Sequence, residues 1–404
     1  MIDFAQEEST KRVASIKVLG IGGAGGNTVN SIMQSGCEQI ECIVANTDAQ
    51  ALENATTPHR IQIGIKATKG LGAGANPELG QRAAQEDLDK ILEAVEDADI
   101  VFLTCGMGGG TGSGALPVVA RALKERGILS IAVVTKPFAF EGRRRTRVAE
   151  EALERLKQEV DTLIVIPNQR LLDVVDQKVS MLDAFTMIND VLSHSVKGIS
   201  DIITKPGHIN VDFADVKAIM KDMGLAVLGT GRASGPDRAW LAAEQAISSP
   251  LLENMSIDGA RGVLLNITGG PSLGLHEISE AASVIYEKAD EDANIIMGSV
   301  IDPNVGDEIH VTIIATGFNK KPAGSRLYQG VDTAALAVYE TKLHNEEVEK
   351  KAAEELVQEL LKAKEEASRT APLPVAENNE ALDLEDLDVP SFMRKEMLEK
   401  SKNV

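Results

Sequence analysis

The sequence predicts an α/β fold: a larger parallel-sheet domain, one long helix and a smaller second domain, in that order. Three features carry this expectation. Short apolar runs alternate with helical spacing through the first part of the chain, the pattern of a parallel sheet with crossover helices. Two glycine-rich segments each lie between an apolar run and a helical stretch. Residues 181–204 (MLDAFTMINDVLSHSVKGISDIIT) keep apolar side chains at helical intervals without interruption.

Residues 1–14 are polar and read as a mobile arm. Strands are expected at Ile16–Ile21, Ile40–Ala45, Ile61–Ile65, Ile100–Thr104, Leu129–Val134 and Leu163–Ile166. Their continuous apolar character fits a sheet buried on both faces. Helices are expected at about Asn27–Gln34, Pro77–Val95, Ala115–Arg126 and Arg145–Val160. The long helix over 181–204 ends near Pro206 and Gly207. Beyond it, strand-like runs recur at Leu225–Thr230, Gly262–Thr268 and Ile309–Thr316, with helices at Ala239–Ser248 and Ser279–Lys288.

After Phe318 the composition shifts. Asn319–Tyr328 reads as a linker. Residues 346–366 hold eight Glu and four Lys with i,i+4 pairs such as Glu346–Lys350, the mark of a solvated helix. Residues 368–386 are acidic and proline-containing, which predicts disorder. Leu387–Leu398 combines Val389, Phe392, Met393 and Met397 with Arg394 and Lys395, a combination suited to a docking peptide.

The net charge is −20, from 41 basic and 61 acidic residues. This balance argues against a nucleic-acid binder, which needs a basic footprint. Cys37, Cys42 and Cys105 form no CxxC pair, so a zinc or redox motif is not expected and buried thiols are. The start, MIDFAQEESTKR, lacks a signal-peptide core, and no stretch reaches the ~20 apolar residues of a membrane span. A cytoplasmic protein without direct membrane insertion is expected.

The first glycine segment, Gly20-Ile-Gly22-Gly-Ala-Gly25, satisfies GxGxxG between a strand and a helix. Glycines let the backbone turn tightly and approach a phosphate, and the helix dipole favours the anion. The second segment, Gly106–Gly114, is the stronger signal, with six glycines and two hydroxyls in nine residues. Adjacent amides there are expected to nest around a phosphate. Two such loops on one sheet suggest a ligand with several phosphates. GxxxxGK[ST] is absent, which excludes a Walker-type site. Asp48, after the second strand, lies near the place of a ribose-binding acid and keeps a nicotinamide dehydrogenase as the rival reading. Further on, Asp212 and Asp215 stand three apart at a helix start and share one face. Taken alone, that spacing fits an N-cap.

GGGTGSG is the tubulin-superfamily signature. With IKVLGIGGAGGNTVN, VANTDAQAL, KPFAFEGRRR, IVIPN and NVDFADV in order, and VPSFMRK in the tail, the chain resembles the tubulin/FtsZ family of GTPases, specifically its bacterial cell-division branch. The resemblance covers about residues 14–318. It implies a Rossmann-like GTP-binding domain (15–180), a central helix (181–205), a smaller α+β C-terminal domain (206–318), a charged linker (319–386) and a docking peptide (387–404). It implies a GTPase that assembles head-to-tail into filaments and forms the cytokinetic ring at mid-cell.

Residue by residue, the resemblance puts Gly22, Gly23, Ala24, Gly25, Gly26 and Asn27 against the nucleotide. Gly106, Gly108, Gly109, Gly110 and Gly112 would hold phosphates, with Thr111 as hydroxyl donor. Glu141 and Arg145 would reach the ribose or phosphate region, whereas Arg143 and Arg144 are unassigned. Asn46 and Asn168 would lie near the nucleotide, and Phe185 against guanine. Either Asn189 or Asp190 would read the base: relatives often place an aspartate at the first position, and a carboxylate and an amide differ in what they accept. Asn210, Asp212 and Asp215 would form a synergy loop that completes the site of the next subunit, with Mg²⁺ present and no metal ligand assigned. His208 stands where relatives often carry an apolar residue. GTP and GDP are the implied ligands. Membrane tethers and division regulators are the implied partners of residues 387–398.

Overall fold

A computed structural model describes residues 14–36, 39–172, 179–205, 207–209, 211–249, 257 and 259–318. The order is β1 (Ile16–Ile21), α1 (Gly22–Gln34), β2 (Glu41–Asn46), α2 (Ala49–Glu53), β3 (His59–Gln62), α3 (Ile65–Thr68), α4 (Pro77–Glu86), α5 (Leu88–Ala94) and β4 (Ile100–Gly106). Then come α6 (Thr111–Glu125), β5 (Leu129–Lys136), α7 (Arg143–Glu159), β6 (Thr162–Pro167), α8 (Asn168–Leu172) and α9 (Met181–Thr204). The last part holds β7 (Gly207–Ile209), α10 (Phe213–Met220), β8 (Gly224–Ala233), α11 (Arg238–Ile247), β9 (Gly262–Gly269), α12 (Leu275–Tyr286), β10 (Asn294–Ile301) and β11 (Ile309–Thr316).

The strands form one mixed sheet in the order β3-β2-β1-β4-β5-β6-β8-β11-β9-β10-β7. From β3 to β6 all pairs are parallel. β8, β11 and β9 pair antiparallel, and β10 runs parallel to β9. The two halves meet where β6 pairs β8 in parallel over three positions, Thr162↔Gly224, Leu163↔Leu225 and Ile164↔Ala226.

Period-2 alternation sorts the strand side chains between two cores. Val18, Val44, Phe102, Ile131 and Ile164 point to the face covered by α1, α9 and α10. Leu19, Ile43, Leu103, Ala132 and Leu163 point to the face covered by α4 to α7. A third core lies between the β8, β9 and β11 strands and helices α11 and α12. Cys42 and Cys105 are buried and form no disulfide with each other, and buried thiols were expected from the sequence. Among the described residues no helix is long and apolar enough to cross a membrane.

The structure differs from the sequence reading in four places. The helix expected over Pro77–Val95 is two helices. Asp87 separates them, its carboxylate accepting the Gly64 N–H at 2.8 Å and pairing with Lys90. The strand expected at Ile61–Ile65 shifts to His59–Gln62, because Gly64 takes a left-handed φ of 65° and Ile65 already starts α3. β7 and β10 were not anticipated. The first glycine segment is itself the opening of α1, so that helix begins at Gly22 and not near Asn27. The N-terminal arm, the linker and the docking peptide lie outside the described residues.

Candidate functional site

Both glycine segments stand at the carboxyl ends of parallel strands, β1 and β4, where open α/β sheets place their ligands. Gly22, Gly23, Ala24, Gly25, Gly26 and Asn27 form the first turns of α1. Gly22 makes the strand-to-helix turn with φ +76°, a conformation a side chain rarely adopts. A Cβ on it would sit 3.3 Å from the Gly112 nitrogen, so the two glycine segments touch each other.

Gly106 to Gly114 is more internally engaged than the sequence suggests. The Gly108 N–H donates to Ser113 Oγ at 2.8 Å and the Met107 N–H to the Thr135 carbonyl at 2.9 Å. A Cβ on Gly106 would meet Ala24 at 2.7 Å, on Gly110 the Asn76 nitrogen at 2.8 Å, and on Gly114 the Pro77 oxygen at 2.0 Å. Close packing against neighbouring backbone therefore requires several of these glycines, quite apart from any ligand. Gly23 and Gly109 differ: a Cβ on either meets nothing within 4 Å. Gly110, Gly112 and Thr111 belong to the opening of α6, whose first amides have no intrahelical acceptor. Two helix N-termini thus lie side by side, each with partial positive charge.

A cavity of about 440 Å³ lies beside Gly108, Gly109 and Gly110. Ala75, Glu141, Arg144, Arg145 and Val148 close it. This volume falls within the ~300–1,000 Å³ of small-molecule sites. Glu141 accepts the Phe138 N–H at 2.8 Å and pairs with Arg145 at 3.1 Å, which holds the arginine at the rim. Ala75 was not singled out from the sequence, and Arg144 was left unassigned there. Ala75 sits in a glycine-rich stretch (GLGAGAN) that offered a signal, and its φ of 57° is unusual for alanine. Thr111 shares a hydroxyl–hydroxyl hydrogen bond of 2.6 Å with Thr47, another residue the motif reading passed over.

Asn46 and Asn168 lie at the ends of β2 and β6, both buried. Asn46 Oδ1 accepts the Asp48 N–H at 3.2 Å. Asn168 Oδ1 is buried without a hydrogen-bond partner. Asp48 caps α2, its Oδ1 accepting from the N–H groups of Gln50 and Ala51. Phe185 packs edge-on against Phe138 at 5.6 Å, and Phe138 stacks on Phe140 at 4.9 Å. Phe185 and Asn189 stand four apart on α9 and share a face. Asp190 turns elsewhere, accepting from Ser31 Oγ of α1 at 3.1 Å.

Asp212 and Asp215 are not near this cavity. Asp212 is the N-cap of α10 and accepts the Asp215 N–H at 2.9 Å, and both carboxylates are exposed. Val211 and Ile202 both approach Gly298, at 3.2 and 3.1 Å from a built Cβ. The acid pair is therefore level with the last turns of α9. Ile202 lies 17 residues beyond Phe185 on that helix, about 25 Å at 1.5 Å per residue. Asn210 lies outside the described residues, as does the side chain of His208. Among the described residues no group of three or more His, Cys, Asp or Glu is placed to hold a metal ion.

The chain matches two family models. Residues 15–176 match the tubulin/FtsZ family GTPase domain and residues 224–319 the FtsZ family C-terminal domain. It is 46% identical over 401 residues to the cell division protein FtsZ of Pseudomonas aeruginosa, covering 97% of this chain and 99% of that protein. Among solved structures it resembles an empty FtsZ dimer of M. jannaschii, with 45% identity and a TM-score of 0.74 over 77% of this chain and 90% of that one. The GDP-bound monomer of CetZ1 from Haloferax volcanii, 24% identical with a TM-score of 0.66 over 76% of this chain and 96% of its own, shares the fold. By these matches the chain belongs to the tubulin/FtsZ family of GTPases, in its FtsZ cell-division branch.

Proposed function

We propose that this chain binds GTP at the carboxyl ends of β1 and β4, assembles head-to-tail and hydrolyses the nucleotide with carboxylates of the next subunit. The observation that carries the proposal is the separation of about 25 Å along α9 between Phe185, at the nucleotide end, and Ile202, level with the acid pair. A general base acts within about 3 Å, or through one water. Asp212 and Asp215 cannot reach a nucleotide bound to their own chain. A second copy placing its α10 end on the cavity brings them there, and repetition of that heterologous contact builds a filament.

In this reading the two helix N-termini hold the phosphates, with Gly23 and Gly109 giving open backbone and Thr111 a hydroxyl donor. Arg145, braced by Glu141, faces the same cavity, and Asn168 Oδ1 accepts from a ribose hydroxyl. Phe185 packs on guanine and Asn189, on the same face, reads its edge. Asp212 engages one carboxylate oxygen as a cap and keeps the other for the attacking water. Mg²⁺ enters with the phosphates and neutralises charge there. Residues 15–180 and 206–318 are the two domains on either side of the helix, and residues 387–398 dock on membrane tethers and division regulators, placing the filament at the mid-cell ring.

Sedimentation with GTP against GDP, with phosphate release measured in the same tube, tests this. GTP is expected to pellet the protein, and turnover per molecule to rise above a threshold concentration. A rate strictly proportional to protein from nanomolar upward refutes the shared site.

A further inference from the structure

Thr47 belongs to no glycine motif, yet it is fully buried and ties the start of α6 to the segment after α3. Its hydroxyl bonds the hydroxyl of Thr111, the first residue of α6, at 2.6 Å. Its carbonyl accepts the Gly72 N–H at 3.4 Å and Thr68 Oγ1 at 3.3 Å. The flanking residues continue the tie: the Ala49 N–H donates to the Gly70 carbonyl at 3.1 Å, and Asp48 bridges Leu71. The 68–75 segment held in this way ends at Ala75, which lines the cavity with a left-handed φ of 57°.

We infer that Thr47 is a positioning residue that orients the Thr111 hydroxyl toward a bound phosphate. The inference rests on the nucleotide reading above. A hydroxyl has one proton to donate and two lone pairs to accept with. In the pair as it stands, either oxygen can be the donor. A phosphate oxygen offers only lone pairs, so Thr111 must give its proton to the phosphate. The pair then holds only if Thr47 donates and Thr111 accepts. Thr47 therefore fixes the proton order of a two-link chain ending on the ligand, and a chain ordered in one direction strengthens each link. Burial keeps water from supplying a substitute donor.

The test uses the full chain and the rise in melting temperature at millimolar GTP or GDP, which stays measurable when binding is weak. Thr47→Val preserves the branched shape and removes the hydroxyl, whereas Thr47→Ser restores it. Thr47→Val is expected to weaken both nucleotides by about three- to ten-fold, the scale of one lost hydrogen bond. Thr47→Ser is expected to stay within about two-fold of the parent, because the donor is kept. In a Thr111→Val background, Thr47→Val is expected to add nothing further, since the acceptor it serves is gone. An equal loss in both backgrounds makes Thr47 a merely structural residue and overturns the inference. Unchanged binding in Thr47→Val, or in Thr111→Val, overturns it too. Failure of the parent chain to respond to either nucleotide would instead sink the nucleotide reading itself, and this inference with it.

Discussion

If catalysis needs the glycine segments of one molecule and the acid pair of another, two inactive variants must repair each other. The first variant is Gly109→Leu. Gly109 is the glycine of the second segment where a Cβ meets no protein atom within 4 Å, so a leucine there is expected to enter ligand space with the fold kept. The second is Asp212→Ala, which removes an exposed carboxylate at the far end of α9. Each alone is expected to release no phosphate above background, the first for want of nucleotide and the second for want of the acid. In an equimolar mixture, half the upper faces bind nucleotide and half the lower faces carry the acid. Random heterologous pairing then makes about one quarter of the contacts competent. Phosphate release near a quarter of the parent rate, at equal total protein, is the expected reading. The estimate depends on geometry alone: with about 25 Å between the two halves in one chain, no rotamer change lets a variant rescue itself. A silent mixture, with both variants folded and Asp212→Ala still binding GTP, refutes the reasoning. Parent-level turnover by Asp212→Ala alone removes the acid from the mechanism.

Two further outcomes follow from individual contacts. Asn189→Ala is expected to cost about ten-fold in GTP affinity, the scale of one base-reading hydrogen bond in a sheltered site, whereas Asp190→Ala loses only an exposed contact to Ser31 and stays near parent affinity; equilibrium binding of labelled nucleotide decides between them. Arg238, buried at the start of α11, makes two hydrogen bonds to Glu277 at 2.6 and 2.9 Å and one to the Asp307 carbonyl at 2.7 Å. Arg238→Met is expected to destabilise by about 2–3 kcal/mol, less than a fully buried pair because the Glu277 side chain is 23% exposed. The Arg238 guanidinium holds the Glu277 carboxyl below the ordinary glutamate value of 4.5, with a smaller contribution from the Gly274 N–H, against an opposing effect of burial. A depressed carboxylate pKa stabilises the fold above its unfolded value and loses that contribution as the pH falls through the folded one. Urea melts from neutral pH downward are therefore expected to show a smaller acid-side loss in Arg238→Met than in the parent.

Most of the fold was legible because its strongest elements announce themselves locally. β1, α9 and β11 lie where periodicity put them, since each is a long or continuously apolar segment whose pattern repeats without interruption. β10 was missed because Asn294, Gly298 and Ser299 break its apolar run, and it becomes a strand only by pairing with β9 along its whole length. The boundary at Asp87 depends on a partner 23 residues away, the Gly64 N–H, which no window around residue 87 contains. The candidate site divides in the same way. The glycine segments and the acid pair are motifs and could be read. Ala75 and Arg144 reach the cavity only through the folding of separate segments, the stretch after α3 and the start of α7, beside the second glycine loop. The sequence reading also asked too much of a ligand: packing against Ala24, Asn76 and Pro77 accounts for glycines that seemed to need a phosphate.

The three-rung pairing of β6 with β8 has a mechanical side. In the proposed head-to-tail filament each subunit is a link pulled at both ends, with tension entering at the glycine segments and leaving near α10. Two of the connections between the halves run along that pull. One is the short splice of Thr162, Leu163 and Ile164 against Gly224, Leu225 and Ala226, reinforced by the Gly224 N–H on the Asp161 carbonyl at 2.9 Å and by the Thr162 hydroxyl on the Met220 carbonyl. The other is α9, a 24-residue rod running alongside. A narrow splice beside a stiff rod resists stretching far better than twisting, so this link transmits pull along the chain while leaving torsion as its soft direction.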